Sequence, residues 1–243
     1  MTSDAVPRAK HVDHHVRHRD VTGGWLRPAV FGVMDGLVSN VALVVGVAAA
    51  DASNRVVLVA GLAGLFAGAF SMATGEYNSV RSQSELAAAE IAIERRELLR
   101  APEAEEAELA AIYRGKGLTR ELSAAVAREL SRDPEVAWRV HAREELGIDP
   151  DNLPSPWTAA LASFVSFLLG AFVPLIPYLL GVDDGAIVIA CVGGALGLFG
   201  TGVAVSRYTS RGALYTGTRQ LVLGSLAAAV TYVVGSLVGV GVA

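Results

Sequence analysis

Charge-poor and charge-rich stretches alternate along this chain on a scale that no soluble core requires. Residues 28–50 carry one ionisable side chain, Asp35, and residues 56–75 carry none, while residues 77–151 are crowded with charge and apolar residues dominate again from 157 onward. A hydrocarbon layer about 30 Å thick needs some 20 consecutive apolar residues per helix. The pattern predicts five such spans: 28 to about 50, 56 to about 77, 157 to about 180, roughly 186–206, and about 221 to the C-terminus. Pro28 sits in the first turn of its span, where proline is tolerated. Pro174 and Pro177 predict a kink in the third. Polar turns at 51–55 and 181–185 join the first to the second span and the third to the fourth. A soluble globular domain and a disordered chain are both excluded.

The charged segment is itself patterned. No proline or glycine falls between Gly75 and Pro102, and residues 82–100 are mostly strong helix formers. The second span is therefore expected to continue as one helix to about Arg100, standing roughly 30 Å clear of the membrane. A second helix follows over about 103–114, ended by Gly115-Lys116-Gly117. A third region opens with Thr119 as N-cap, runs to about Arg132, and continues after Asp133-Pro134 to about Leu146, where Gly147 stops it. The expected fold is an all-α membrane protein of five transmembrane helices, with a three-helix cytoplasmic domain on an extended second helix. Its parts are a tail (1–27), helices one and two (28–80), the acidic domain (81–152) and helices three to five (153–243).

Charge orients this arrangement. Of 20 Lys/Arg, five lie in the N-terminal tail, eleven in 77–156 and three in 207–219, leaving Arg55 alone on the opposite side. The positive-inside rule then makes the tail and the acidic domain cytoplasmic and puts the C-terminus across the membrane. The net charge of −4 excludes nucleic acid as a partner, since no basic stripe meets phosphates. Residues 1–27 lack an apolar signal core, so the first span is expected to serve as its own insertion signal. The single cysteine, Cys191, rules out a disulfide framework. Only Lys10 and Lys116 are lysines, and with the Ala/Val/Gly richness this suggests a bacterial plasma membrane. Glycine pairs four apart (Gly32/Gly36, Gly64/Gly68, Gly193/Gly197 and Gly235/Gly239) suit close helix packing in a bundle or dimer.

Two groups of residues carry candidate chemistry. On the acidic helices, Glu90, Glu94 and Glu97 share one face, Glu105 and Glu108 share another, and His141, Glu144 and Glu145 stand at i, i+3, i+4 on the last. These are either solvated faces paired with Arg95, Arg96 and Arg100, or carboxylates converging with an imidazole on a divalent cation such as Mn, ferrous iron or Zn. Within the membrane, Asp35 stands alone, and an acid there costs about 2.5–3.5 kcal/mol on insertion scales, which makes it a functional-site candidate beside the plainer reading of local capping or pairing. Met72 and Glu76 lie one turn apart on the second span, with Asn40 and Asn78 as further oxygen donors nearby. An acid facing a thioether suits a partly dehydrated transition metal, and the acid could equally carry a proton. In the tail, His11, His14, His15 and His18 would form one imidazole face if helical.

The stretches Phe31-Gly-Val-Met-Asp35-Gly-Leu-Val-Ser-Asn40 and Ala69-Phe-Ser-Met72-Ala-Thr-Gly-Glu76-Tyr77 resemble the vacuolar iron transporter family. The likeness continues through Ser79-Val-Arg-Ser-Gln83, Arg143-Glu-Glu-Leu-Gly147 and Leu153-Pro-Ser-Pro156-Trp157, and covers 28 to about 241. The resemblance implies a five-helix protomer, a homodimer, and proton-coupled export of ferrous iron from the cytosol. It places Asp35 and Met72 on the ion path, and Glu94, Glu97, Glu105, Glu108 and Glu145 in a cytoplasmic metal site. A methionine pair of the better-known plant form is here His141 and Ala142, which leaves metal selectivity open. Two other readings stand beside the transporter. One is a membrane-anchored metal sensor or storage scaffold without flux. The other is a tethered di-iron ferroxidase, disfavoured because such sites need a Glu-x-x-His from each of two helices and this domain holds one histidine, in the order His141-x-x-Glu144. The chain is thus expected not to be an enzyme.

Overall fold

The structure, a computed structural model, describes residues 24–208 and 211–242. Its elements are α1 (Leu26–Ala49), α2 (Asn54–Arg100), α3 (Pro102–Gly115), α4 (Arg120–Leu130), α5 (Pro134–Glu144), α6 (Pro156–Phe172), α7 (Ile176–Leu179), α8 (Ala186–Ser206) and α9 (Ala213–Val242). A 3₁₀ turn at Val173–Leu175 joins α6 to α7, so the third span bends at its prolines as its sequence predicts. No strand occurs among the described residues. Among the described residues five helices are long and apolar enough to cross a membrane: α1, α2, α6 with α7, α8 and α9.

Helix α1 is the hub of the bundle and touches α2, α6, α8 and α9. Its buried Val44 joins Val57, Leu65 and Ala69 of α2, Phe167 and Ala171 of α6, and Ala186 and Ala190 of α8 in one apolar cluster. Two of these contacts run backbone to backbone. A Cβ on Gly36 would strike the Phe167 carbonyl oxygen and come within 2.9 Å of the Ala171 nitrogen, and one on Gly235 of α9 would strike the Gly46 carbonyl. The glycine spacing on α1 and α9 is therefore used inside the protomer, where it brings helix axes close. On α8 one member of the expected pair is tightly used: a Cβ on Gly197 would come within 2.9 Å of the Leu37 side chain. Gly193 leaves room for ordinary contact with Val173, whereas a Cβ on its neighbour Gly194 would meet Val41 at 2.5 Å.

Because rigid main chain opposes any side chain at position 36, Gly36→Leu should overpack the α1–α6 seam by at least the usual 1–3 kcal/mol or so. Gly75, on α2, has nothing within 4 Å of an added Cβ, and Gly75→Ala should be neutral or stabilising by up to about 1 kcal/mol. Thermal unfolding of the detergent-purified variants, followed by size-exclusion chromatography, should show Gly36→Leu melting well below wild type and Gly75→Ala at or above it.

Helix α2 runs unbroken to Arg100, so the part beyond the apolar stretch ending near Tyr77 reaches about 35 Å from the membrane. The acidic helices fold back along this stalk. Pro102 starts α3, and the Thr119 hydroxyl caps α4 by accepting from Leu122 N–H at 3.3 Å. The third acidic region is two helices rather than one long one: α4 ends at Leu130, and Asp133 caps α5 through Glu135 N–H at 2.9 Å. Helix α5 ends at Glu144, and Gly147 turns the chain away at φ +66°. The last span starts at Ala213, eight residues before the apolar run. Buried Thr216 bonds the Gly212 and Ala213 carbonyls, and Gly202 of α8 abuts its backbone. Tertiary packing extends that helix beyond what hydropathy alone requires, and Arg219 consequently lies on α9 and not in a loop.

Candidate metal site

The stalk presents Glu94 inward, α3 returns Glu105 towards it, and α5 brings His141 between them. All three are nearly or fully buried, at 3%, 8% and 0% exposure. The imidazole Nδ1 lies 2.9 Å from Glu94 Oε1, 3.6 Å from Glu145 Oε2 and 3.8 Å from Glu105 Oε2. The 2.9 Å approach is close, yet the groups are not aligned as a hydrogen bond. Glu94 Oε1 and both His141 ring nitrogens are left without a hydrogen-bond partner. Burying such groups unsatisfied costs stability, so the arrangement has unfilled donor capacity at its centre.

One ligand atom from each of Glu94, Glu105 and His141 lies within 4.8 Å of the other two. Ligands of one Zn-like ion at about 2.1 Å can be up to about 4.2 Å apart, so a small contraction would bring this set onto a single ion. Glu97 and Glu108 form the exposed rim. Burial first, then the charges of Glu145, Glu105, Glu97 and Glu108, push the Glu94 carboxyl up to about 7. The Glu105 carboxyl is also raised, by burial and by Glu108, against an opposing pull from His141. Five carboxylates thus crowd one imidazole, and a divalent cation would relieve both their repulsion and the unsatisfied atoms.

Two expected ligands fall elsewhere. Glu144 points away from this cluster, pairing with Lys116 and accepting a hydrogen bond from the Tyr113 hydroxyl at 3.4 Å. Glu90 is half-buried one turn nearer the membrane and is not among the acids acting on Glu94. Glu145, by contrast, stays beside the His141 ring at 3.6 Å. Glu144→Gln should therefore leave Mn²⁺ affinity, measured by calorimetry, within about twofold of wild type, well under 1.4 kcal/mol. Ion pairing within the stalk is not the use of Arg95 either. Its guanidinium lies 4.1 Å over Trp138 and 3.4 Å from Glu135, and Trp138 Nε1 donates to Glu135 at 2.9 Å. This clamp, which sequence spacing does not reveal, fixes α5 to the stalk one turn from His141.

In the membrane, Asp35, Ser39 and Asn40 of α1, Gly64, Gly68, Ser71 and Met72 of α2, and Phe167 of α6 line one cleft of about 210 Å³. Asn40 is buried, its Nδ2 donates to the Ala171 carbonyl at 2.5 Å, and its Oδ1 has no hydrogen-bond partner. Ser39 donates to the Asp35 carbonyl at 2.6 Å. The structure thus brings Asp35, Asn40 and Met72 together. Glu76 is half-buried one turn further towards the stalk and does not line the cleft, and Asn78 is exposed. The glycines and serines of the cleft were not anticipated as a group, because small residues carry no chemical signal in a glycine-rich span. The tail histidines His11, His14, His15 and His18 lie outside the described residues.

The profile of the VIT family matches residues 26–236. A vacuolar iron transporter of Acanthamoeba castellanii is 39% identical over 187 residues, covering 73% of this chain and 68% of that protein. Vacuolar iron transporter 1 of Arabidopsis thaliana is 31% identical over 230 residues, covering 93% and 91%. Vacuolar iron transporter homolog 1 of Oryza sativa subsp. japonica is 38% identical over 216 residues, covering 88% and 74%.

Proposed function

Because the chain belongs to the VIT family, we propose that it exports a divalent transition metal, ferrous iron foremost and Mn or Zn as further substrates, from the cytosol in exchange for protons. The family is one of transporters and not of enzymes. The observation that carries the reading is the intramembrane cleft, in which an acid, a thioether and an unpartnered amide oxygen converge. A hard carboxylate and a soft sulfur suit a borderline cation that has shed part of its water. The acidic domain collects the ion: Glu94, Glu97, Glu105, Glu108, Glu145 and His141 raise its local concentration beside the bundle. Asp35 then takes it up and returns a proton, with Glu76 on the proton route towards the stalk.

A homodimer fits this reading. The hydroxyls of Ser39 and Ser71 are exposed beside the cleft, and α2 leaves Val59, Phe66 and Phe70 exposed along the same span. A second copy over α2 would shield the ion path from lipid. The basic end of the bundle faces the cytosol, and the receiving side is beyond a bacterial plasma membrane.

The test is metal uptake into proteoliposomes under an imposed pH gradient, with Fe²⁺, Mn²⁺ and Zn²⁺ compared. Metal should move against the proton flow, fastest for Fe²⁺, and stop when an ionophore collapses the gradient. Binding with no flux under any gradient would sink the transporter and leave a metal sensor.

A further inference from the structure

A second cavity, on a different face of α1, shares no lining residue with the metal cleft. It measures about 660 Å³ and lies at the stalk end of the bundle, where the start of α1, the end of α8 and the first turns of α9 meet. Three arginines line it: Arg27 of α1, Arg207 just past the end of α8, and Arg219 of α9. Among the described residues no acidic side chain lines it, and neither Arg27 nor Arg219 has an acidic partner there. Below the arginines the wall turns apolar along Val30, Phe31 and Met34. From Arg27 to Met34 is about 10 Å along α1, and Phe31 is 58% exposed towards the surrounding bilayer.

We propose that this cavity holds an anionic glycerophospholipid, its phosphate among Arg27, Arg207 and Arg219 and an acyl chain against Val30, Phe31 and Met34. Charge complementarity selects the head, since basic pockets between spans at a membrane face attract anionic lipid headgroups. The apolar lower half selects an amphiphile over a free anion, because inorganic phosphate would leave that wall unfilled. Three arginines lining one concavity also differ from arginines spread singly around a membrane rim. The bound lipid would tie α1 to α8 and α9 at their shared end.

Native mass spectrometry of the full chain, titrated with phosphatidylglycerol or with phosphatidylcholine of the same acyl chains, tests the proposal. Phosphatidylglycerol should be retained preferentially, and added inorganic phosphate should not displace it. Arg27→Gln/Arg219→Gln should lower its retention by at least about tenfold, because both charges facing the anionic head are lost. Val30→Trp, which fills the groove with the charge intact, should also expel it. Arg96→Gln/Arg100→Gln, the same charge loss on the stalk, should not. Equal retention of the two lipids, an equal drop in the stalk variant, or phosphatidylglycerol binding only after removal of residues 1–23 would each overturn the proposal. The last outcome would mean that the tail fills the cavity.

Discussion

Asp35→Ala is expected to reduce gradient-driven metal flux to the background of empty liposomes while leaving the protein folded. Placing a carboxylate among apolar helices costs about 2.5–3.5 kcal/mol on insertion scales, so removing it relieves a penalty. The thermal midpoint of the variant should equal or exceed that of wild type, which separates lost transport from lost fold. What remains in the cleft is Met72, a weak thioether donor, and the Asn40 amide oxygen. Neither carries charge, and a divalent cation that has given up water needs a charge to replace it. Nor can either exchange a proton in the physiological range. Met72→Leu, close in volume, should keep partial flux and shift the preference away from the softer metals. Proteoliposome uptake of Fe²⁺ reads both variants, and Asp35→Ala transporting within twofold of wild type would remove the acid from the path.

Metal affinity of the cytoplasmic site is expected to climb steeply between about pH 6 and pH 8, and Glu94→Gln is expected to abolish most of that climb. The Glu94 carboxyl sits at about 7, against 4.5 for an ordinary glutamate. At pH 6 it is mostly protonated, and an incoming cation must displace the proton. At pH 8 the oxygen is free. The sign for the metal-free protein is opposite. The folded state holds a proton that the unfolded chain has released between 4.5 and 7, so this group's contribution to stability is present at low pH and is lost as pH rises through about 7. Added Mn²⁺ should reverse the trend, giving a thermal shift that grows with pH. Glu94→Gln keeps the shape but removes a ligand, and affinity should fall by at least the 10–100-fold typical of losing even a supporting group. Calorimetry at three pH values decides it, and an unchanged pH slope in Glu94→Gln would assign the titration to another residue.

Much of this molecule was legible in its sequence because the signals are local. Chain crossings follow from runs of apolar residues, and the continuous α2 follows from the absence of any glycine or proline between Gly75 and Pro102. The cap at Thr119 is a local motif, read three residues along at Leu122 N–H. Asp35 announces itself through the cost of its position. Errors arose where tertiary contact overrides local signal. Helix α9 starts at Ala213 because Thr216 and Gly217 pack on Gly202, and no hydropathy window registers one close backbone contact.

For the sites, sequence alone determined the inventory: which acids, which imidazole, which sulfur, and which helices bear them. Helical periodicity puts Glu94 and Glu97 on one face and separates Glu144 from Glu145, but it leaves the rotation of one helix against another free. That rotation was decided by packing. The Arg95–Trp138–Glu135 clamp turns α5 so that His141 and Glu145 face the stalk and Glu144 faces Lys116. Likewise the backbone contact between Gly36 and Phe167 sets α1 against α6, and it thereby directs Asp35 and Asn40 into the cleft that Met72 completes. Residue types follow from the chain because chemistry is a property of single side chains. Their convergence needed the tertiary structure, because a site is a relation between helices far apart in sequence, and close packing sets it.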